Sequence, residues 1–276
     1  MWLFCGLLAG CGSPSPAAPQ PPHPAPPAST AFDAARCGRI AGRVTWHGSV
    51  PDAPPFKYSV GKADGNFESN DFGNPNRLQV DPATKGVAGA VVFLTGVDPS
   101  RAKPWDLPSV RVELLELQIV VKQGNDAPKR AGFVRRGDAV PMASSESNFH
   151  VLRGRGAAYF SLAFPAADKA LTRTFDKVGR VELSSGAGYY WAHANLFVCD
   201  HPYFALTDTE GRFEFEQVPA DEANVVAWHP SWNAARLERD PETGLVSRLT
   251  YAAPLEVVAP TTIEMGRTAS AELRLR

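Results

Sequence analysis

The sequence predicts an all-β protein of sandwich type, and three observations carry that expectation. Runs such as GRIAGRVTW (38–46), GAVVFLTGV (89–97), VRVELLELQIVV (110–121) and RVEL (180–183) alternate or are β-branched. Turn-forming clusters punctuate them densely: HGSVPDAPP, GNPN, RRGD, DTEG and DPETG. Long helical periodicity is missing, and AFPAADKAL (163–171) could supply only one or two helical turns.

The elements follow in chain order. Trp2 to Leu8 is apolar but far too short to span a bilayer. It ends in Leu8-Ala9-Gly10-Cys11, which resembles the bacterial lipobox. That resemblance implies a signal of residues 1–11 cut just before Cys11, a lipid anchor on its sulfur, and attachment to a cell-envelope membrane. Met1-Trp2 lacks the basic charge of a signal n-region, which leaves the true start open. Residues 12–36 read as a tether. The tract GSPSPAAPQPPHPAPPAST (12–30) cannot build a core and favours polyproline II, reaching roughly 60 Å at about 3.1 Å per residue. His23, set among its prolines, reads as a solvated linker residue.

GRIAGRVTWHGSVP, followed by VAGAVVFLTGV, resembles the opening of a carboxypeptidase regulatory-like (transthyretin-like) domain. That domain's second half is present as TDTEGRFEFEQVPADEANVVAW (207–228), more than a hundred residues downstream. Within it, Asp208 to Gly211 predicts a tight hairpin turn with Gly211 at positive φ. Phe213 and Phe215 alternate with charges and share one buried face, and Val218-Pro219 ends the strand. Ala220-Asp221-Glu222 stands where the family has a glycine, so that turn should differ locally. TASAELRLR (268–276) alternates as a half-buried edge strand would. The expected host domain therefore comprises 37–100 plus 200–276.

The segment between, 101–199, has the length of a small β-sandwich and resembles a cupredoxin. VRVELLELQIVVKQG would supply first strands, and FVRRGDAVPMASSESNFHVL the approach to a first copper histidine. FDKVGRVELSSGAGYYWAHANLFV would supply the final strand, the ligand loop and the closing strand. Type 1 copper needs two imidazoles, a thiolate and a weak axial thioether. The resemblance puts His150 at the first-histidine place, with Ser144 and Glu146 where the family has Asn and Asp. Trp191 anchors the late loop, and Gly186, Tyr189 and Ala192 fall on the Cys, His and Met places. Thiolate, second imidazole and thioether are all gone, so no copper cofactor is expected.

A remodelled copper site remains as an alternative, using His150 and His193, with Cys199 and His201 as conceivable neighbours. On an extended strand Trp191 and His193 would share one face. Spacing alone gives no ligand cluster of recognised type. A second alternative is a glycan platform of Tyr189, Tyr190 and Trp191, extended by Trp228, against the simpler reading that these rings pack the sandwiches. Cys37 and Cys199 could form a disulfide stapling the junction, remain as two buried free thiols, or include a metal thiolate.

Formal charge is −1 and the basic residues are scattered, which argues against a nucleic-acid partner. Arg136-Gly137-Asp138 reads as a turn rather than an adhesion tripeptide. Ser184-Ser185 lacks a nucleophile-elbow context, and Glu238, Asp240 and Glu242 are spaced as a solvated turn. The sequence therefore points to no enzyme. It predicts a binding or scaffolding lipoprotein of the envelope, periplasmic or on the outer surface, with an envelope protein or glycan as partner.

Overall fold

The computed structural model describes residues 31–61, 67–167, 169–242, 244 and 246–276. Cys11 and residues 12–30 lie outside the described residues. Among the described residues there is no α-helix, and no helix long and apolar enough to cross a membrane. A 3-10 turn, Ala34–Arg36, leads into the first strand.

The first run of strands is β1 (Cys37–Trp46), β2 (Phe56–Gly61), β3 (Phe67–Phe72), β4 (Gln79–Val80), β5 (Val87–Ala88) and β6 (Val91–Thr95). The second is β7 (Val110–Leu115), β8 (Gln118–Gln123), β9 (Ala131–Arg135), β10 (Ala139–Ser144), β11 (His150–Gly156), β12 (Phe160–Phe164), β13 (Leu171–Thr174), β14 (Gly179–Ser185) and β15 (His193–Cys199). The third is β16 (Phe204–Leu206), β17 (Arg212–Pro219), β18 (Glu222–His229), β19 (Ala234–Arg239), β20 (Val246–Tyr251), β21 (Leu255–Thr262) and β22 (Thr268–Leu275).

Two β-sandwiches result. Strands of the first and third runs build one, with sheet β17–β1–β22 against sheet β16–β6–β18–β21. Its core includes Ile40, Val44, Leu94, Phe213, Val225 and Leu273. The second run builds the other, with β13–β10–β7–β8 against β12–β11–β14–β15–β9, over Val112, Ile119, Met142, Leu152, Leu183 and Leu196. The chain leaves the first sandwich after β6 and returns in β16, and these two are antiparallel neighbours with Phe93 opposite Phe204. Exit and return are therefore hydrogen-bonded to each other.

A third apolar cluster joins the sandwiches. Phe133 and Phe197 on β9 and β15 meet Val91 and Trp228 on β6 and β18, with Phe93 and Phe204 beside them. β15 is consequently buried along its whole length, one face in its own core and the other against the neighbouring sandwich. A strand covered on both faces reads as a continuous apolar run, as ANLFVC does.

VRVELLELQIVV supplies first strands as expected, in the form of a hairpin, β7 and β8, which turns through Glu116 (φ 50°) and Leu117 (φ 57°) without glycine or asparagine. Three expectations need correction. The DTEG turn is tight and Gly211 has φ 78°, but β16 and β17 lie in different sheets, so it is a crossing and not a hairpin. A side chain at Gly211 would start 2.3 Å from the Val44 carbonyl oxygen. AFPAADKAL forms no helix among its described residues, since Ala163 and Phe164 finish β12 and a turn follows. Cys37 and Cys199 are free and buried, so the junction has no disulfide staple. They sit on β1 and β15, in different sheets, and each thiol donates to a nearby backbone carbonyl, of Asp33 and Phe197 respectively. Burial raises both thiol pKa values.

Candidate functional site

The 144–150 segment turns on its own side chains. Ser144 is buried at the end of β10 and its hydroxyl accepts the Glu146 N–H at 3.2 Å, a local Ser turn. That turn aims the Glu146 carboxylate at two groups. One oxygen accepts the Leu117 N–H at 2.7 Å, and the other lies 2.8 Å from His150 Nε2. His150 is only 2 % exposed, and the Tyr189 ring lies 5.0 Å from its own. Burial, then the nearby Glu146 charge, raises the Tyr189 phenol pKa.

Trp191 is also 2 % exposed and donates its indole N–H to the Leu117 carbonyl at 3.1 Å. Both backbone groups of the left-handed Leu117 are thus held, one by Glu146 and one by Trp191. Tyr58 lies 4.8 Å from Trp191 and Phe72 stacks on it at 5.4 Å, while Phe56 meets Tyr190 edge-on. These three rings belong to the β2–β3 hairpin, which comes from the first run of strands but packs on the second sandwich's core. The hairpin roofs the 186–192 loop.

Gly186, Tyr189 and Ala192 bring no metal donor to His150. Gly186 donates its N–H to Val151, Tyr189 packs against the imidazole, and Ala192 is buried. One imidazole already held by a carboxylate, with aromatic rings beside it, does not fit type 1 copper, which wants a thiolate and two histidines. Nor are the residual candidates assembled. Tyr190 and Trp191 form a turn just before β15, so alternation does not place Trp191 and His193 on one face. Cys199 is six residues from His193 along β15, about 20 Å away. His201 packs on Tyr203 and Phe204, and burial lowers its pKa. Among the described residues no three His, Cys, Asp or Glu side chains are grouped to hold a metal.

No family model and no curated protein matches this chain. Solved structures similar to it include amicyanin from Paracoccus versutus (Thiobacillus versutus), at 17 % identity over 39 % of this chain and 98 % of that one, TM-score 0.27. A point mutant of amicyanin in its Cu(I) form is similar at 13 % identity over 39 % of this chain and 98 % of that one, TM-score 0.26. At such superposition neither assigns a site or an activity here.

The alternative aromatic platform loses both of its tryptophans to packing, as the simpler reading of these rings expects. Trp191 lies under the hairpin, and Trp228 is 4 % exposed, with Phe197 at its edge and the Arg180 guanidinium 5.3 Å over its face. Among the several concavities of the described residues, two border the second sandwich. A cleft of about 1000 Å³ runs between the sandwiches past Asn76, Lys129, Arg130, Thr209 and His229. A smaller cavity of about 120 Å³ lies beside His193, among Arg153, Arg155, Glu182, Ser184 and Arg248. Neither was anticipated from spacing. The arginine pair of LRGRG was the available signal, since residues two apart on a strand share a face.

Proposed function

We propose that this chain is a non-catalytic binding or scaffolding lipoprotein of the cell envelope, whose cupredoxin-like sandwich has given up type 1 copper. It would be held as a rigid body on a transthyretin-like host and displayed through Cys11 and the proline-rich tether. The observation that carries the reading is that Gly186, Tyr189 and Ala192 bring no metal donor to His150, whose neighbours are the Glu146 carboxylate and the Tyr189 ring, inside a loop roofed by the β2–β3 hairpin. A concave surface where two sandwiches meet is a common ligand-binding place and supports a binding role. Anchoring rests on the LAGC motif and the tract behind it.

Metal analysis of protein purified without chelators, then incubated with cupric ion and desalted, tests the first part. The expected result is far less than one copper per chain and no intense visible band. One copper per chain, lost in His150→Ala, overturns the reading. Anchoring is tested by detergent-phase partition and labelled-acyl incorporation in cells expressing the full chain, both of which Cys11→Ala should abolish.

A further inference from the structure

The cleft between the sandwiches has walls that the fold holds in place. The loop after β3 forms one of them, and two buried asparagines pin it. Asn74 and Asn76 donate their side-chain amides to the carbonyls of Trp232 and Ser231, each at 2.9 Å. Arg77 follows directly, its N–H bonded to the Asn74 carbonyl. Another wall belongs to the second sandwich, where the Lys129 backbone exchanges both of its hydrogen bonds with Val121 of β8, at 2.8 and 2.9 Å. A third is the segment 207–209, fixed by the Thr207 hydroxyl, which donates to the Val87 carbonyl and accepts the Ala90 N–H. Side chains carried on backbone held this way need little further ordering to bind a ligand.

The charged groups differ in what they have left to offer. Both carboxylates on the walls are engaged, Asp71 by Lys57 at 3.1 Å and Asp208 by the N–H groups of Glu210 and Arg212. Of the cations, Arg130 donates to the carbonyls of Ile119 and His193, whereas Arg77 and Lys129 make no salt bridge among the described residues. Gln79, Gln118 and Thr209 line the same cleft with no side-chain hydrogen bond among the described residues. The side-chain oxygen of Asn76, a residue only 6 % exposed, has none either. Phe72, Val120 and Leu206 are half-buried on these walls. Amides and hydroxyls supply donors and acceptors side by side, which is what a sugar hydroxyl, itself both, requires. A peptide adding a strand needs an open sheet edge instead. On β8 and β9 such groups are already taken: the Ile119 carbonyl accepts from Arg130, and the Gln123 amide holds both the N–H and the carbonyl of Phe133 at 3.1 Å.

We infer that the cleft binds an acidic oligosaccharide, one whose sugar rings carry carboxylates. The carboxylates take Arg77 and Lys129, the hydroxyls take the unpartnered amide and hydroxyl side chains, and the C–H faces of the rings lie on Phe72, Val120 and Leu206. At about 1000 Å³ the space is at the upper end of what a small-molecule site offers, which suits a short oligomer. The inference rests on the reading of this chain as a binding module and names a ligand class and a place for it.

Calorimetric titration of the full chain at neutral pH tests it, with trimers of galacturonate and of glucuronate, galactotriose as a neutral sugar and triglutamate as an acidic peptide. At least one uronate trimer should bind saturably, and galactotriose and triglutamate should each bind roughly tenfold more weakly or less. Arg77 and Lys129 are exposed and their side chains make no bond among the described residues, so Arg77→Ala and Lys129→Ala should fold normally. Each should lower uronate affinity several-fold and flatten its dependence on salt. Gln118→Ala should lower it with the salt dependence unchanged. Arg274→Ala, which removes an exposed cation of β22 outside the cleft, should leave binding as it was. Galactotriose or triglutamate binding as tightly as the uronates overturns the inference. So does uronate affinity that survives both Arg77→Ala and Lys129→Ala, or no saturable binding of either uronate at millimolar concentration. Any of these results in copper-free protein leaves the binding-module reading standing, whereas stoichiometric copper at His150 sinks that reading by itself.

Discussion

Tyr190 donates its phenolic hydroxyl to the backbone carbonyl of Lys57 at 2.6 Å, across 133 residues of sequence. The bond ties the 186–192 loop of one sandwich to a hairpin supplied by the other sandwich's stretch of chain. Phe56, Tyr58 and Phe72 pack around the same loop, so the clasp is mainly apolar and the hydrogen bond orients it. Trp191 lies at its centre and is a structural residue in this arrangement. Trp191→Ala should cost about 3–5 kcal/mol, the range for emptying a buried aromatic site. Tyr190→Phe keeps the ring and should cost about 1 kcal/mol. Urea unfolding followed by tryptophan-independent circular dichroism measures both. A Trp191→Ala change within about 0.5 kcal/mol of the unaltered protein, the level of an ordinary surface site, would show that the hairpin does not depend on it.

The β7–β8 turn holds two residues other than glycine at positive φ, Glu116 at 50° and Leu117 at 57°. Each such residue costs about 1–2 kcal/mol relative to one that accepts the left-handed region. Leu117 has compensation, since Glu146 takes its N–H and Trp191 its carbonyl. Glu116 is exposed, and no backbone bond of this kind holds it. Glu116→Asn suits the first central position of a two-residue hairpin and should raise stability by about 0.5–1 kcal/mol. A lowered or unchanged thermal midpoint would mean that the glutamate has a role beyond the turn.

How legible these features were depended on what each residue packs against. Ile40 and Val44, or Phe213 and Phe215, alternate because one strand face meets the chain's own nearest core, and that pattern was readable. The β2–β3 hairpin went unread. Its Phe56, Tyr58 and Phe72 serve the other sandwich, and the Asp64-Gly65 pair in FKYSVGKADGNFESNDF, a recognised hairpin signal, went unread with them. DTEG announced a turn, but the same turn chemistry serves a hairpin or a crossing between sheets. At the site, the sequence aligned His150 with Glu146 four residues before it. It could not show that the carboxylate turns back onto the ring, because Ser144 sets that geometry through a side-chain bond to the backbone. Arg153 and Arg155 were passed over because charges in a strand read as a solvated face until a second hairpin covers them.

His229 sets the response to acid. It ends β18 on the wall of the cleft between the sandwiches, 5 % exposed, with Nδ1 2.8 Å from the Pro230 carbonyl and Trp232 at its edge. Burial lowers its pKa to about 4, against the hydrogen bond to Pro230, which favours the charged ring. The unfolded chain, with a histidine near 6.5, binds the proton more readily. The neutral ring therefore contributes stability that is fully present above about pH 6.5 and is lost as pH falls toward about 4, where folded and unfolded states both carry the charge. Taken at face value the shift amounts to about 3 kcal/mol over that window. His201, lowered in the same direction by burial, adds to the slope. Glu182 and Asp81, held below their usual range, contribute the same sign at the acid end of the window and beyond. Urea denaturation at pH 7 and at pH 4.5 should show the fall, and His229→Gln should remove about half of it or more, since a neutral amide does not titrate. A variant whose stability falls with pH as steeply as the unaltered chain would place the acid sensitivity elsewhere, and would mean that the His229 ring has access to water through the cleft.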